Sequence, residues 1–431
     1  MESKQSSSSS EVSWSPWKRV LFRFAFCYLL LYLTPFPLGA VPYVHVLATP
    51  WKVFWGALVP WVGQRFFGVE AVQKITGSGD TLFAYVQLFC ILVLALAGSL
   101  VWTLLDRRRR QYRRLHDWLR AYVRMSVANT MVVYGAAKVI KSQFAGPGLD
   151  RLVQSFGDAS PMGLLWTFMA ASLGYNLFTG MGEMVGGLLL TTRRTTLLGA
   201  LVTIGVMAHV VALNFSYDVP VKLFSVHLVL FAAFLALPDL KRLAGLFVLN
   251  RSTEARPLPA LFTRPSWHRA ALVVRSLFVA WIVIHSLHDS YSASREYGDS
   301  SPRSPLRGIW NVEELEVDGE VRPPLLTDET RWRRLIFDHP EWFTLRRMND
   351  RRQGFSVRID EQKKVIEVSR EQDPSFEPAT WTYERPEPDL LILSGRFEKQ
   401  QIKARLVRQD EQDFLLLNRG FHWVSEYPFN R

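Results

Sequence analysis

Residues 81–105 read TLFAYVQLFCILVLALAGSLVWTLL, and residues 106–114 read DRRRRQYRR. The first stretch holds no Asp, Glu, Lys or Arg. It exceeds the ~20 apolar residues that an α-helix needs to cross about 30 Å of hydrocarbon. The second is the arginine-dense connector that such a helix leaves on the cytoplasmic side. Together they predict an integral membrane protein whose first partner is the lipid bilayer.

Working outward, comparable apolar runs occur at about 18–37, 119–141, 162–191, 195–214, 220–237 and 268–289, which predicts about seven transmembrane helices. The segment from Trp51 to Phe67 is also apolar. Pro60 breaks it, and Trp51, Trp55 and Trp61 suit a membrane–water boundary, so a shallow interfacial helix is expected there. Lys18-Arg19, Arg107–Arg110 with Arg113 and Arg114, Arg193-Arg194, and the cations from Lys241 to Arg264 all fall on one face when the helices are threaded in order. This predicts a multi-pass protein of the bacterial cytoplasmic (inner) membrane, with a cytoplasmic N-terminus and an extracytoplasmic C-terminal domain.

The net charge is +12. Because the cations sit between apolar runs rather than on one groove-binding face, a nucleic-acid partner is excluded. Cys27 and Cys90 both lie in apolar runs and no C-x-x-C occurs, so they read as buried, inert thiols.

Four regions are expected. Residues 1–16 form a serine-rich, disordered cytoplasmic tail. Residues 17–290 form the helical bundle, 291–305 a Ser/Arg/Pro linker, and 306–431 an extracytoplasmic β-rich domain. In the last region the period changes to two: Phe355, Val357 and Ile359 alternate with polar residues, as do Ile402, Ala404 and Leu406. Further strands are expected at Ile309–Val317, Arg333–Phe337, Val365–Val368, Thr380–Arg385, Leu390–Leu393 and Phe414–Leu417, with turns at Asp318-Gly319 and Ser394-Gly395. The predicted fold is an α-helical transmembrane bundle followed by an all-β antiparallel barrel or sandwich.

Polar groups at membrane depth cost several kcal/mol unless paired, so they mark candidate sites. Thr130, Tyr134, Lys138 and Lys141 share one face of the third helix by their spacing. Ser172, Asn176, Thr179 and Glu183 form a stripe on the fourth, with Gly180, Gly182, Gly186 and Gly187 allowing a neighbouring helix to approach. His209 and His227 fall in the outer half, with Asn214, Asp218 and Lys222 at the mouth. Glu183, Lys138 and His209 are the candidate catalytic residues. Tyr134, Asn176, Asn214 and His227 are candidate ligand-binding residues of a polar layer. Glu183, His209 and His227 lack a metal-binding spacing, so no metal is expected. His285, His288 and Asp289 read as the water boundary of the last helix.

Two stretches carry a family resemblance. Tyr134-Gly-Ala-Ala-Lys138 is similar to the G-x-x-K near a helix end in DoxX-like membrane proteins. Glu183-Met-Val-Gly-Gly-Leu-Leu-Leu190, followed by Arg193-Arg-Thr-Thr, resembles their E-x-x-G-G-x-L-L hairpin. The resemblance covers about residues 115–240. It implies a four-helix membrane unit with Lys138 and Glu183 at matching positions, and a lean toward quinone-linked redox chemistry. Gly308-Ile-Trp310 looks like the G-x-W of lipocalin-type barrels, which implies a barrel able to hold a small apolar ligand. Two readings stay open: a quinone-linked redox component or subunit, and a non-catalytic membrane anchor or assembly factor that displays the β-domain to a protein partner or a ligand.

Overall fold

The computed structural model describes residues 13–41, 44–255, 262, 264–370, 373 and 375–430; the expected tail lies outside them up to residue 12. The chain divides into two compact units. One runs to Ile140 and resumes at Leu177–Ser290; the other joins Lys141–Asn176 to the chain from Tyr291 onward.

The first unit is helical. It comprises α1 (Pro16–Leu33), α2 (Thr49–Val62), α3 (Leu82–Leu105), α4 (Arg113–Val139), α8 (Thr196–Ser216), α9 (Lys222–Ala236), α10 (Leu240–Phe247), and most of α7 (Leu173–Leu190) and of α11 (Pro265–Tyr297). The short α5 (Leu149–Leu152) and α6 (Pro161–Ala171) belong to the second unit. Local chemistry sets several starts. The Ser15 hydroxyl accepts from the Lys18 amide ahead of Pro16, and the Thr81 hydroxyl accepts from the Ala84 amide. Both caps occupy donors that a first turn leaves unpaired.

Among the described residues, five helices are long and apolar enough to cross a membrane: Pro16–Ala40, Leu82–Leu105, Thr196–Ser216, Lys222–Phe247 and Pro265–Tyr297. The seven expected from the sequence are not all recovered. The run 162–191 is split at Ser172, whose backbone is extended, into α6 and α7. The first half of α4 carries Arg113, Arg114, Asp117, Arg120 and Arg124, which keeps its mean hydropathy low. The residues 291–305 expected as a linker are helical as far as Tyr297.

The basic connectors gather at one end of the helical unit. The Trp14 amide donates to the Arg110 carbonyl (3.1 Å), and Arg19 Nη1 donates to the Arg109 carbonyl (3.0 Å). Arg23, buried in α1, donates to the Tyr112 hydroxyl, the Thr103 hydroxyl and the Asp106 carbonyl. Arg120 on α4 reaches the Leu235 carbonyl at the far end of α9 (2.9 Å).

In the second unit the β-rich region is a closed antiparallel barrel. Its strands are β1 (Gly308–Val317), β2 (Glu320–Val321), β3 (Trp332–Phe337), β4 (Trp342–Arg347), β5 (Arg352–Asp360), β6 (Val365–Ser369), β7 (Ala379–Glu387), β8 (Leu390–Phe397) and β9 (Gln400–Gln409). They follow the order β1-β3-β4-β5-β6-β7-β8-β9, and β1 pairs β9 to close the ring. Closure leaves the ring of eight strands without an unpaired edge, with the short β2 added beside β1, and decides between barrel and sandwich. The strand expected at Phe414–Leu417 is instead helical, as α12 (Leu415–Asn418).

The barrel's inward side chains include Trp310, Trp332, Trp381, Phe337, Phe343, Phe355 and Phe397, all buried in one apolar cluster. The rings pack edge-on and stacked at centroid distances such as 5.1 Å for Phe337–Phe343 and 5.7 Å for Phe343–Trp381. Trp310 of the G-x-W donates from Nε1 to the Leu306 carbonyl (2.8 Å). Large interlocking rings fill the centre of a barrel of this size. The segment 141–160 lies on this unit's outer face. Leu149 packs on Ile309 and Ile336, and Asp150 meets Arg346 (2.8 Å) and Arg352 (2.7 Å).

Candidate functional site

The sequence marks two charges in the apolar bundle, and the structure joins them. Lys138, on the last turn of α4, points its Nζ at both carboxylate oxygens of Glu183 on α7, at 2.8 and 2.7 Å. Their exposures are 7% and 2%. Each charge is matched by the other with two charge-assisted hydrogen bonds, the arrangement that makes a buried pair tolerable.

Glycines bring the helices this close. A Cβ at Gly135 would sit 2.5 Å from Met184 Cγ and 2.6 Å from the Gly180 carbonyl oxygen. One at Gly180 would meet the Gly135 carbonyl and Lys138 Cβ, each at 2.8 Å, and one at Gly187 would meet the Ala128 carbonyl at 2.9 Å. The two backbones therefore touch along most of their crossing, and the ion pair closes its upper end. Small residues at such a crossing substitute for the hydrophobic force that lipid removes.

Tyr134 stands one turn before Lys138, with Nζ 5.7 Å from the ring centroid. The residue is 37% exposed and its ring leans on Phe224. It is the member of the group that faces outward.

The other polar residues serve separate junctions. His209 is on the exposed face of α8. His227 is buried on α9, with Nε2 2.6 Å from the Tyr28 hydroxyl and Nδ1 2.6 Å from the Leu223 carbonyl. Its ring stacks on Tyr32 at 4.2 Å, which fastens α9 to α1. Asn214 donates to the Ser225 hydroxyl (3.0 Å) and ties α8 to α9. Asn176 belongs to the second unit, where its Nδ2 donates to the Met169 carbonyl (2.7 Å) beside the break at Ser172. That bond satisfies an acceptor which a continuous helix would have paired with its own backbone. The expected polar layer is therefore distributed: Lys138, Glu183 and Tyr134 come together, while His209, His227 and Asn214 do not join them.

Sequence reasoning missed the buried arginines. Arg124 on α4 donates to the Thr196 hydroxyl at the start of α8 (3.3 Å), and Arg23 holds the Tyr112–Asp106 network, in which the Tyr112 hydroxyl donates to Asp106 Oδ2 (2.8 Å). In the sequence both look like ordinary boundary cations. Only the facing hydroxyls distinguish them.

Comparison with known proteins adds one relative. The uncharacterized protein YwoB of Bacillus subtilis (strain 168) is 32% identical over 127 residues, which are 30% of this chain and 80% of YwoB. No family model matches the chain, and no solved structure matches it. With that identity over most of YwoB's length, the chain belongs to the YwoB family.

Proposed function

We propose that the chain is a DoxX-like protein of the bacterial cytoplasmic membrane that acts as an anchor or assembly factor, presenting its barrel to a protein partner outside the membrane. The observation that carries this reading is the barrel interior. Trp310, Trp332, Trp381, Phe343 and Phe397 fill the space in which a carrier barrel would keep its ligand, so its outer surface does the recognising. The bundle agrees with that role. Lys138 and Glu183 satisfy each other, and the Gly135–Gly180 crossing makes them a lock between helices. The gathering of Arg19, Arg109, Arg110 and Arg120 at one end of the helical unit supports a cytoplasmic face there, with the N-terminus on that side.

A second reading, a quinone-linked redox component, is favoured by Tyr134. Its partly exposed ring beside the Lys138 ammonium offers a hydroxyl and a cation to a head group approaching from lipid. Extraction of the purified protein with organic solvent, followed by mass spectrometry, separates the two. The anchor reading expects no quinone in stoichiometric amount, and site-specific crosslinkers on the barrel surface to trap one protein at a defined mass. Quinone near one per chain, lost in Glu183→Gln, would replace it with the redox reading.

A further inference from the structure

Trp281, Ile282, His285, Ser286 and Asp289 recur at spacings of one and three along α11, which puts them on one face. Together with Asn129 and Val133 of α4 and the turn at Gly39–Val41, that face lines a cavity of about 430 Å³ inside the helical unit. The volume suits a small ring with a short substituent, at the lower end of the ~300–1,000 Å³ usual for ligand pockets. Trp281 sets the wall. Its Nε1 donates to the Ala40 carbonyl (3.2 Å), and its ring stands edge-on to His285 at 4.9 Å.

The polar groups of the cavity form a pattern. His285 Nδ1 lies 2.7 Å from Asp289 Oδ2, so in the neutral imidazole Nδ1 carries the proton and Nε2 is left as an acceptor. Asp289 also has His288 Nδ1 at 3.7 Å, so its charge is already partnered at the rim. Among the described residues, neither the Asn129 amide nor the Ser286 hydroxyl takes part in a hydrogen bond, and both line the cavity. No Lys or Arg is among the lining residues to attract an anion.

We propose that this cavity binds a neutral, lipid-soluble alcohol or phenol. The hydroxyl of the ligand donates to His285 Nε2 and accepts from Asn129 or Ser286, while its ring lies against Trp281 and Val133. The rest of the molecule extends toward lipid. An acyl chain would leave all three polar groups unsatisfied, and an ether, which accepts but cannot donate, would leave His285 Nε2 without a partner, which disfavours both.

The test uses the full chain in lipid nanodiscs, with tritiated 4-octylphenol as the probe and empty nanodiscs as the partition background. One site per chain is expected. Its affinity should fall roughly tenfold or more for 4-octylanisole, which keeps the ring, the chain and the acceptor oxygen but lacks the donor. Asn129→Leu and His285→Phe should each weaken phenol binding by about tenfold, and Val133→Trp should abolish it by filling the space. Equal binding of phenol and anisole to the unaltered protein overturns the proposal without recourse to any variant, as does wild-type affinity in Val133→Trp. The readout is phenol binding at α4 and α11, so the result stands or falls apart from the reading of the barrel and of the ion pair.

Discussion

The two units solve the same problem, holding a chain in one arrangement, by opposite means. The barrel buries a continuous apolar core in which Trp310, Trp381, Phe337 and Phe343 are wholly enclosed. The helical unit buries Arg23, Arg124, Lys138, Glu183, Asn214 and His227. In water, burying apolar area stabilises almost any compact arrangement, and ring packing then selects one. Between helices in lipid that force is absent, because a neighbouring leucine is no better a solvent than an acyl chain. Close glycine contacts and specific polar pairs must then select the partner. The buried charges are thus the bundle's counterpart of the barrel's aromatic core.

Removing one half of the ion pair gives the largest test of this comparison. Glu183→Leu leaves the Lys138 ammonium buried without its carboxylate and should destabilise the helical unit by about 3–5 kcal/mol. Thermal unfolding in nanodiscs measures it. The double substitution Lys138→Met with Glu183→Leu should recover most of the loss. A double variant as unstable as the single would break the comparison, because the pair would then matter as charge rather than as a match.

In the barrel the equivalent injury is a cavity. Leu391 is fully buried, and Leu391→Ala should cost ~2–5 kcal/mol, in proportion to the space left unfilled. Hydrogen exchange should then quicken in β7, β8 and β9 and stay unchanged in α4 and α7. Quickening in both units would show that their stabilities are not separate.

A smaller effect is expected from crowding the helix crossing. Gly135→Ala forces a methyl against Met184 and the Gly180 carbonyl, at about 1–3 kcal/mol. The same readout checks it. A neutral result would mean that the crossing is looser than the 2.6 Å approach to the Gly180 oxygen implies.

The smallest effect concerns pH and the barrel alone. Asp328 accepts from the Thr330 hydroxyl (2.6 Å) and from the Thr330 and Arg331 amides, which hold its carboxyl below the usual range. Its contribution is fully present above the ordinary aspartate value and is lost as pH falls through the lowered one. Because the group is only partly buried, Asp328→Asn should cost less than ~1 kcal/mol at neutral pH and flatten the acid limb of barrel stability. An unchanged acid limb would assign that limb to other carboxylates.

Much of this was legible. Alternation of apolar and polar residues predicted β5 and β9 because one face of each strand points into the core. The strand β4 escaped notice because Arg346 and Arg347 are both buried, one against Asp150 and the other against Glu398, which erases the alternation. The strand expected at Phe414–Leu417 is helical from Leu415 onward, because three consecutive leucines carry no period of two. The break at Ser172 has no Pro to announce it, and Gly174 two residues on reads as one more small residue of an apolar run. Asn176 bonding back to Met169 stabilises it, and that requires knowing the fold of the turn first.

For the site, the sequence supplied the members and not their grouping. Lys138, Glu183, His209 and His227 were each conspicuous as polar residues in apolar runs. Solvent preference is a sum over neighbouring residues, so the chain's own order determines which stretches enter lipid and which form a barrel in water. Pairing depends on distance between residues far apart along the chain. The meeting of Lys138 with Glu183, 45 positions away, follows from a helix crossing that close glycine contacts set, and the turning of His209 outward while His227 faces Tyr28 follows from the rotations of α8 and α9. Those rotations belong to the tertiary structure, because no local stretch of sequence contains both faces of a contact.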